Sequence, residues 1–408
     1  MTTMPGGLEL RTARPSDLDQ IGSLLVERGE EPDALDHRLV VEGELGWDAC
    51  AVVVDGDRVV STATLLDETV RVGDVVLPAG QVELVATDTE YEGRGLVRAL
   101  MGWAHDRSRD RGHVLQVMIG IPYFYRLFGY EYAIDIPRAR GLRESSPPGD
   151  REPASSPGDA PAGSILREAT AADVPTLVAL QEAAQAPYDV AMPHPEERWR
   201  WLLAHEGSTT RVLERDGVVV ASARTGPPDE GLLVAEATAA DTTAAHDLLD
   251  ALRGLGEPLT IVHRPLTTPG RAWAELLEPG GTDATQYYVR LERPELVLDA
   301  LRPVLTARLR AAGLGREVVI STFGRHYRLP WTTDAGLGRV EVGGPMQAPG
   351  VAGGAGVAPD RLPALLLGHL GIQGLERLYP DVYAPDAEFF GALFPPLTAD
   401  LLTYYLPW

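Results

Sequence analysis

A pattern near the start of the chain returns about 155 to 160 residues later, and this repeat constrains the fold more than any other feature. LRTARPSDLDQIGSLL (10–25) and LREATAADVPTLVALQ (166–181) share an opening Leu-Arg, an alanine, and an aspartate ahead of a helical pattern. Each predicts a short strand and a helix capped by that aspartate. Further along, Asp-Gly turns at Asp55 and Asp216 each lie between β-branched runs and predict hairpins, because glycine accepts the positive φ of a tight turn. We therefore expect two copies of one fold.

Changes in composition mark the borders of these copies. RARGLRESSPPGDREPASSPGDAPAGS (138–164) is dense in Pro, Ser and Gly, shows no periodicity, and predicts a linker. After Arg290, a helical pattern at 295–314 and two strand patterns predict a further α+β segment. The expected organisation is a first domain at 1–140, a linker at 141–164, a second domain at 165–292 and a third at 293–408.

Charge and composition exclude several classes of function. The formal net charge is −23, which argues against a nucleic-acid partner and fits either a cationic substrate or simple solubility. No apolar run reaches the roughly twenty residues that a membrane span needs, and the amino terminus lacks the pattern of a signal peptide. The single cysteine, Cys50, excludes an internal disulfide and a cysteine metal cluster. We expect a cytoplasmic protein with no metal and no membrane partner.

The segment 81–112 predicts a strand, a glycine turn and a helix. Gly93 and Gly95 lie in the turn, and Gly112 suits the end of the helix. A helix that begins at a glycine turn presents unpaired N–H groups at the positive end of its dipole, which favours binding of a pyrophosphate. Turns of this kind are at least as common without any ligand.

An aromatic run, PYFYRLFGYEY (122–132), follows the next predicted strand at 113–121. A tyrosine at this place is able to reach the sulfur of a bound thioester and protonate the leaving thiolate. Its ordinary pKa of about 10 suits a thiol with a pKa of about 8.5 or somewhat higher. The alternative is that these rings form an aromatic core cluster.

Residues 81–132 resemble the GNAT superfamily of acyl-coenzyme A N-acyltransferases, through the glycine turn and through the aromatic-Tyr pair that precedes Arg-Leu-Phe-Gly at 126–129. The layout of the whole chain resembles the enhanced-intracellular-survival (Eis) family of multi-acetylating aminoglycoside acetyltransferases. This resemblance implies a mixed α/β (α+β) fold: tandem GNAT-like domains with mixed, mostly antiparallel central sheets flanked by helices, the second one degenerate. A sterol-carrier-like α+β domain would follow.

The resemblance also implies the residues that bind acetyl-CoA. Backbone groups of Val85, Ala86 and Thr87 would hold the acetyl and pantetheine ends. The pyrophosphate would lie on a turn of six residues, namely Gly93, Arg94, Gly95, Leu96, Val97 and Arg98. Glu92 departs from the Gln or Arg of the superfamily motif, and its carboxylate would repel a pyrophosphate unless it points away or pairs with Arg94 or Arg98.

In the same way, the resemblance implies that Tyr125 is the general acid and that the C-terminal carboxylate of Trp408 is the base. Glu83, on the same strand face as Val85, is a second candidate base. The second copy has Thr242 and Ala244 where the first has glycines, so we expect it to bind no coenzyme.

The expected function is acetyl-CoA-dependent transfer to a primary amine of a small, cationic, aminoglycoside- or polyamine-like substrate, by direct attack in a ternary complex. Two alternatives stay open: a protein lysine or N-terminal acetyltransferase, and a non-catalytic GNAT-like binding or regulatory protein. The family resemblance further implies a homo-oligomer, such as a hexamer.

Overall fold

The chain folds into mixed sheets flanked by helices, and a computed structural model describes residues 2–29, 31–43, 45–143, 164–205, 207–226, 231–281 and 286–401. The strands are β1 (Thr2–Thr3), β2 (Glu9–Thr12), β3 (Cys50–Asp55), β4 (Arg58–Val72), β5 (Val75–Thr87), β6 (Leu115–Met118), β7 (Glu131–Asp135), β8 (Ala139–Gly141), β9 (Ser164–Glu168), β10 (Val190–Ala191), β11 (Thr209–Arg215), β12 (Val218–Thr225), β13 (Leu232–Ala239), β14 (Leu259–Val262), β15 (Gln286–Arg290), β16 (Val318–Ser321), β17 (His326–Leu329), β18 (Trp331–Thr332), β19 (Gly336–Leu337), β20 (Glu341–Gly343), β21 (Ala355–Val357), β22 (Val382–Tyr383) and β23 (Ala399–Asp400). The α-helices are α1 (Leu18–Arg28), α2 (Glu31–Glu42), α3 (Leu96–Asp110), α4 (Val174–Gln185), α5 (Glu196–Ala204), α6 (Thr242–Arg253), α7 (Thr268–Trp273), α8 (Pro294–Ala312), α9 (Leu362–Leu367), α10 (Gly371–Leu378) and α11 (Ala387–Leu393).

The repeated Arg and Asp of the two copies form the same local structure. Arg11 donates two hydrogen bonds to Asp17, at 2.7 and 2.9 Å, and Arg167 donates two to Asp173, at 2.8 and 2.9 Å. Each aspartate also accepts a backbone N–H three residues earlier in the chain, so it holds the turn between the strand and the following helix. The hydrogen bonds from Arg167 hold the pKa of Asp173 well below its ordinary value.

The two large sheets have the same order of strands. The first contains β2-β3-β4-β5-β6-β15 in sequence across the sheet, and the second contains β9-β11-β12-β13-β14-β8. Neighbours are antiparallel except for β5 with β6 and β13 with β14, which are parallel. Both predicted Asp-Gly hairpins are present, β3 with β4 and β11 with β12. The predicted mixed, mostly antiparallel fold is therefore confirmed.

In each large sheet, the strand that pairs with the outer strand of the parallel pair (β6 or β14) comes from a distant part of the sequence. In the first sheet β15 lies between β6 and β7, although it follows the second copy in sequence. In the second sheet the edge strand beside β14 is β8, which follows the first copy. β8 lies at the start of the Pro-, Ser- and Gly-rich stretch 138–164: a three-residue edge strand needs only backbone pairing, which composition does not reveal. Most of the predicted linker, 144–163, lies outside the described residues.

The chain divides into two compact units. One unit contains 1–135, 189–191 and 286–399, and the other contains 136–188, 192–285 and 400–408. The predicted borders at 140, 164 and 292 stay a prediction. The C-terminal segment of the first unit has a sheet ordered β20-β17-β16-β21-β22. The predicted helix at 295–314 is confirmed as α8, which begins at a proline and ends at a left-handed glycine.

Candidate active site

Two parallel strands separate at the centre of the first sheet. β5 and β6 pair at Ala79 with Leu115, at Gly80 with Gln116 and at Gln81 with Val117, and the ladder ends there. β5 continues for six more residues along β4. Within the described chain, the edge of 82–87 that faces away from β4 therefore has no strand beside it, and we call it the open edge of β5: an unpaired edge of this kind is where an extended ligand adds to a sheet.

A bulge lies within this open stretch. Thr62 pairs with Ala86 and Thr64 with Glu83, so two residues of β5 stand opposite one residue of β4. Leu84, at the bulge, has a positive φ of 51°, which is unusual for a residue with a side chain. The bulge turns the β5 backbone at Val85, which is where the family resemblance implies that the acyl end of acetyl-CoA binds.

The predicted glycine turn leads directly into α3. Gly93 and Gly95 have φ of +73° and +78°, which only glycine adopts easily, and a Cβ added to either would meet no protein atom within 4 Å. Gly95 is the N-cap of α3, and no side chain caps this helix. The N–H groups of its first turn, which begins at Leu96, therefore have no side-chain cap and lie at the positive end of a fifteen-residue helix. The turn is thus shaped to receive a phosphate group.

Two arginines of the turn lie over aromatic rings. The guanidinium of Arg94 is 4.4 Å from the ring centre of Tyr91 and donates a hydrogen bond to the backbone of Glu90. The guanidinium of Arg98 is 5.4 Å from the ring centre of Phe128. Stacking leaves the edge of a guanidinium able to donate further hydrogen bonds, so both arginines can still contact an anion.

The carboxylate of Glu92 pairs with a residue that lies outside the sequence motif. Arg28, the last residue of α1, donates a hydrogen bond of 2.6 Å to it. The expected partners, Arg94 and Arg98, instead make the contacts described above, because each lies beside an aromatic ring. Arg28 therefore neutralises the charge of Glu92 at the edge of the glycine turn.

Tyr125 lies in a short 3₁₀ helix, Phe124–Phe128, which follows β6. Its side chain is 7% exposed and packs in the aromatic cluster that the alternative interpretation predicted. The nearest rings are those of Phe124, Phe128, Tyr130 and Tyr288, with centres 5.2 to 6.4 Å away. Burial raises the pKa of Tyr125 to about 12, with a further contribution from the charge of Glu83. The hydroxyl is therefore protonated at neutral pH, as an acid must be.

Glu83 lies close enough to act on Tyr125 electrostatically. It is 6% exposed, and the side-chain amide of Gln81 donates a hydrogen bond to it. The structure thus brings one of the two candidate bases to the candidate acid. Trp408, the other candidate base, lies outside the described residues.

Cys50 is fully buried, against the ring of His37 and the hydroxyl of Thr62. Burial raises the pKa of its thiol to about 11, so it is not a reactive nucleophile at neutral pH. The described side chains include no group of three or more His, Cys, Asp or Glu arranged to hold a metal ion. In the same residues no helix is long and apolar enough to cross a membrane.

The corresponding turn of the second copy is closed by its own side chain. α6 begins after Asp241, whose carboxylate accepts a hydrogen bond of 2.8 Å from the N–H of Ala244. This N–H is one of the first-turn groups that a phosphate would need. Besides lacking glycines at Thr242 and Ala244, the second copy thus places a negative charge where the phosphate would bind.

The separated strands of the second copy are also filled. β13 and β14 part after Val234 and Ile261, and the side chain of Arg264 lies at that point, where it donates a hydrogen bond of 3.1 Å to the carbonyl of Ala237. Asp400 accepts two further hydrogen bonds from Arg264, at 2.8 and 2.6 Å, and both side chains are buried. A cavity lined by Arg264 and Ala237 has an accessible volume of only about 10 Å³, roughly what one water needs.

Sequence patterns did not identify Arg28, Tyr288, or the pair of Arg264 with Asp400. Each contacts its partner across a long stretch of chain, and none lies in a motif. Strand pairing between β15 and the first sheet is the signal that would have found Tyr288.

Residues 9–133 match the family model described as an acetyltransferase (GNAT) domain. This range holds β5, β6, the glycine turn, α3 and Tyr125. No curated protein sequence matches the chain.

Solved structures share the fold over nearly the whole chain. A GCN5-related N-acetyltransferase from Kribbella flavida is 19% identical, covers 98% of each chain and has a TM-score of 0.63. One from Anabaena variabilis is 14% identical, with a TM-score of 0.66 and coverage of 97% of this chain and 99% of its own. Eis1 from Mycobacterium abscessus is 17% identical, with a TM-score of 0.56 and coverage of 98% and 99%. At these identities the likeness concerns the fold.

Proposed function

We propose that the chain is an acetyl-CoA-dependent N-acetyltransferase that acts on a primary amine of a small, cationic substrate. The observation that carries this proposal is the contrast between the two copies. The first has an open strand edge, an uncapped helix start and a buried tyrosine beside it. In the second, the strand separation is filled by Arg264 and the helix start is capped by Asp241.

The residues of the first copy fit a coenzyme. Backbone groups of Val85, Ala86 and Thr87 would hold its acyl and pantetheine ends along the open edge of β5. The N–H groups from Gly93 to Arg98 would bind the pyrophosphate, assisted by the guanidinium of Arg94. The coenzyme, when bound, supplies an activated acyl thioester.

The substrate amine then attacks the acyl carbon, a C–N bond forms and the C–S bond breaks. Tyr125 gives its proton to the departing sulfur, and a base takes the proton that the amine loses. A tyrosine with a pKa of about 12 is a weak donor to a thiolate, so this step depends on the surrounding charge. Burial is the main cause of this raised pKa and the charge of Glu83 the smaller one; if Glu83 is the base, the proton that it accepts removes that smaller contribution, so the two transfers assist each other.

The C-terminal carboxylate of Trp408 is the other candidate base. A variant with four extra residues after Trp408 moves that carboxylate, and Glu83→Gln removes the second one. Loss of turnover in the extended chain with full turnover in Glu83→Gln assigns the base to Trp408, and the reverse result assigns it to Glu83. Full turnover in both would contradict both assignments.

The function is tested by measuring release of free thiol from acetyl-CoA with a panel of aminoglycosides, polyamines and peptides. The chain contains no lysine, so acetyl-lysine found in the reaction comes from the acceptor and not from the enzyme. Tyr125→Phe should slow turnover about a hundredfold, the lower end of the usual contribution of an acid, and leave the affinity for acetyl-CoA unchanged. Turnover with peptides alone would favour the protein acetyltransferase alternative. Failure of acetyl-CoA to raise the melting temperature, even at millimolar concentration, would favour the non-catalytic one.

The acidic chain suits a cationic acceptor, since its net charge of −23 attracts polyamines at low ionic strength. We also propose that 293–408 is a sterol-carrier-like domain and that the chain forms a homo-oligomer, such as a hexamer, in the cytoplasm. Sedimentation equilibrium measures the assembly directly.

A further inference from the structure

The hydroxyls of Tyr132 and Tyr288 form hydrogen bonds to the backbone of the loop 121–123, which precedes Tyr125. The N–H of Tyr123 donates a hydrogen bond of 3.1 Å to the hydroxyl of Tyr132. The hydroxyl of Tyr288 donates one of 3.2 Å to the carbonyl of Ile121, and the two hydroxyls are 2.6 Å apart. A single orientation of the two protons satisfies all three bonds: Tyr123 to Tyr132, Tyr132 to Tyr288, and Tyr288 to Ile121. The loop is thus held at both ends of 121–123.

The loop needs such support because its backbone is strained. Tyr123 has φ of +69°, in the left-handed region that residues with a side chain seldom adopt. Its own ring does not stabilise this conformation by burial, since it is 67% exposed. A conformation of this kind persists only when the surrounding contacts determine it, and here the hydroxyls of Tyr132 and Tyr288 supply those contacts.

Tyr288 contacts the ring of the proposed acid directly, and Tyr132 contacts it only through Tyr288. Tyr288 lies opposite Tyr132 across β15 and β7, and their rings stack with centres 4.2 Å apart. The ring of Tyr288 then meets Tyr125 edge-on at 5.9 Å. On another side, a Cβ added to Gly120 would lie 2.3 Å from the ring of Tyr125, so that ring packs directly against the backbone. These contacts leave the ring of Tyr125 little freedom to move.

We propose that Tyr132 and Tyr288 are positioning residues, which fix the loop 121–123 and thereby set the place of the Tyr125 hydroxyl for proton transfer. The inference rests on the proposed acyl transfer. It assigns a role in the first copy to a residue that lies 156 positions from its partner, outside the range 9–133. It also relates the position of β15 in the first sheet to function, because this strand, which follows the second copy in sequence, contains Tyr288.

The test replaces each hydroxyl without changing the ring. Tyr288→Phe and Tyr132→Phe should each lower kcat about tenfold, while the KM for acetyl-CoA changes by less than about twofold. Tyr327→Phe, at a buried tyrosine of β17, is the matched control and should leave kcat unchanged. Melting temperatures of all three variants show whether they fold, and a fall in kcat with equal stability separates positioning from general damage.

A double substitution makes the test specific. In a Tyr125→Phe background, Tyr288→Phe should cause no further loss, because the group that it positions has gone. An equal loss in both backgrounds would overturn the inference, and so would unchanged kcat in both single variants of an active enzyme. Absence of turnover in the wild-type protein with every acceptor would instead overturn the proposed function, and the inference with it.

Discussion

The guanidinium of Arg28 lies 2.6 Å from the carboxylate of Glu92, and the two residues belong to different elements, the end of α1 and the glycine turn. Glu92 directly precedes Gly93, so an unpaired carboxylate there would face the phosphates of a bound coenzyme. The two side chains are 34% and 54% exposed, so the pair adds little to stability. Its effect is therefore expected on ligand binding rather than on folding.

Arg28→Ala should raise the KM for acetyl-CoA roughly fivefold, because it leaves a negative charge beside the pyrophosphate. The melting temperature should stay within about 1 °C. Adding Glu92→Gln should restore the affinity, since the double variant has neither charge. The loss in Arg28→Ala should shrink at high ionic strength. A double variant as weak as Arg28→Ala would show that the arginine itself contacts the coenzyme.

The glycine turn allows a test with a matched control. Gly95 and Gly217 both have φ of +78°, and a Cβ on either meets no protein atom within 4 Å. Alanine at either site should cost about 1 to 2 kcal/mol of stability, the usual penalty of a left-handed residue. Only Gly95→Ala should also weaken acetyl-CoA binding, by at least about tenfold, because its methyl group would lie where the phosphate approaches. Urea unfolding measures the stability and isothermal titration the affinity, and equal affinities would remove Gly95 from the site.

Short-range features of this fold were predictable from sequence. Asp17 and Asp173 do precede α1 and α4, as predicted, but the predicted side-chain caps are wrong: each carboxylate instead accepts the N–H three residues earlier and pairs with an arginine six residues earlier. The Asp-Gly hairpins are confirmed, because in so short a segment a residue that accepts a positive φ selects the turn. The glycine turn and the position of Tyr125 after β6 followed from the same kind of signal.

Long-range features were not predictable. The partner of Glu92 is Arg28, and Arg264 is satisfied by Asp400, 136 residues away. Ion pairs of this kind depend on how elements pack, and many arginines in the sequence would serve equally well. The sequence does not reveal, for another reason, that β15 joins the first sheet and β8 the second. The two copies share one strand order, so either sheet offers a place for either strand.

The exchange of strands predicts how a truncated chain behaves. A fragment of residues 1–140 contains the range 9–133 that matches the acetyltransferase domain but lacks β15, so the edges of β6 and β7 would have no partner. It should be insoluble or unfold without cooperativity. Joining 1–135 through a Gly/Ser linker to 286–401 restores the strand and should give a cooperative transition. Calorimetry compares the two, and a stable, cooperative 1–140 would contradict the prediction.

Burial of His37 predicts how stability depends on pH. Its ring is fully buried with Nε2 3.3 Å from the sulfur of Cys50, and burial lowers its pKa to about 4 from an ordinary value near 6.5. Between these values the unfolded chain binds a proton that the folded chain does not. The contribution is therefore fully present above about pH 6.5 and is lost as pH falls towards 4, by up to about 1.4 kcal/mol per pH unit.

Urea unfolding of the wild-type protein between pH 7 and pH 4.5 should show this decline, together with that of other groups. His37→Gln removes one titrating ring, so its free energy of unfolding should fall less steeply over the same range, even if the variant is less stable at pH 7. His246→Gln, at an exposed position of α6, is the control and should keep the wild-type slope. Parallel slopes for wild type and His37→Gln would mean that the buried ring gains its proton without unfolding. In that case water must reach the buried ring as the pH falls, and hydrogen exchange at the neighbouring strand β3 would rise with it.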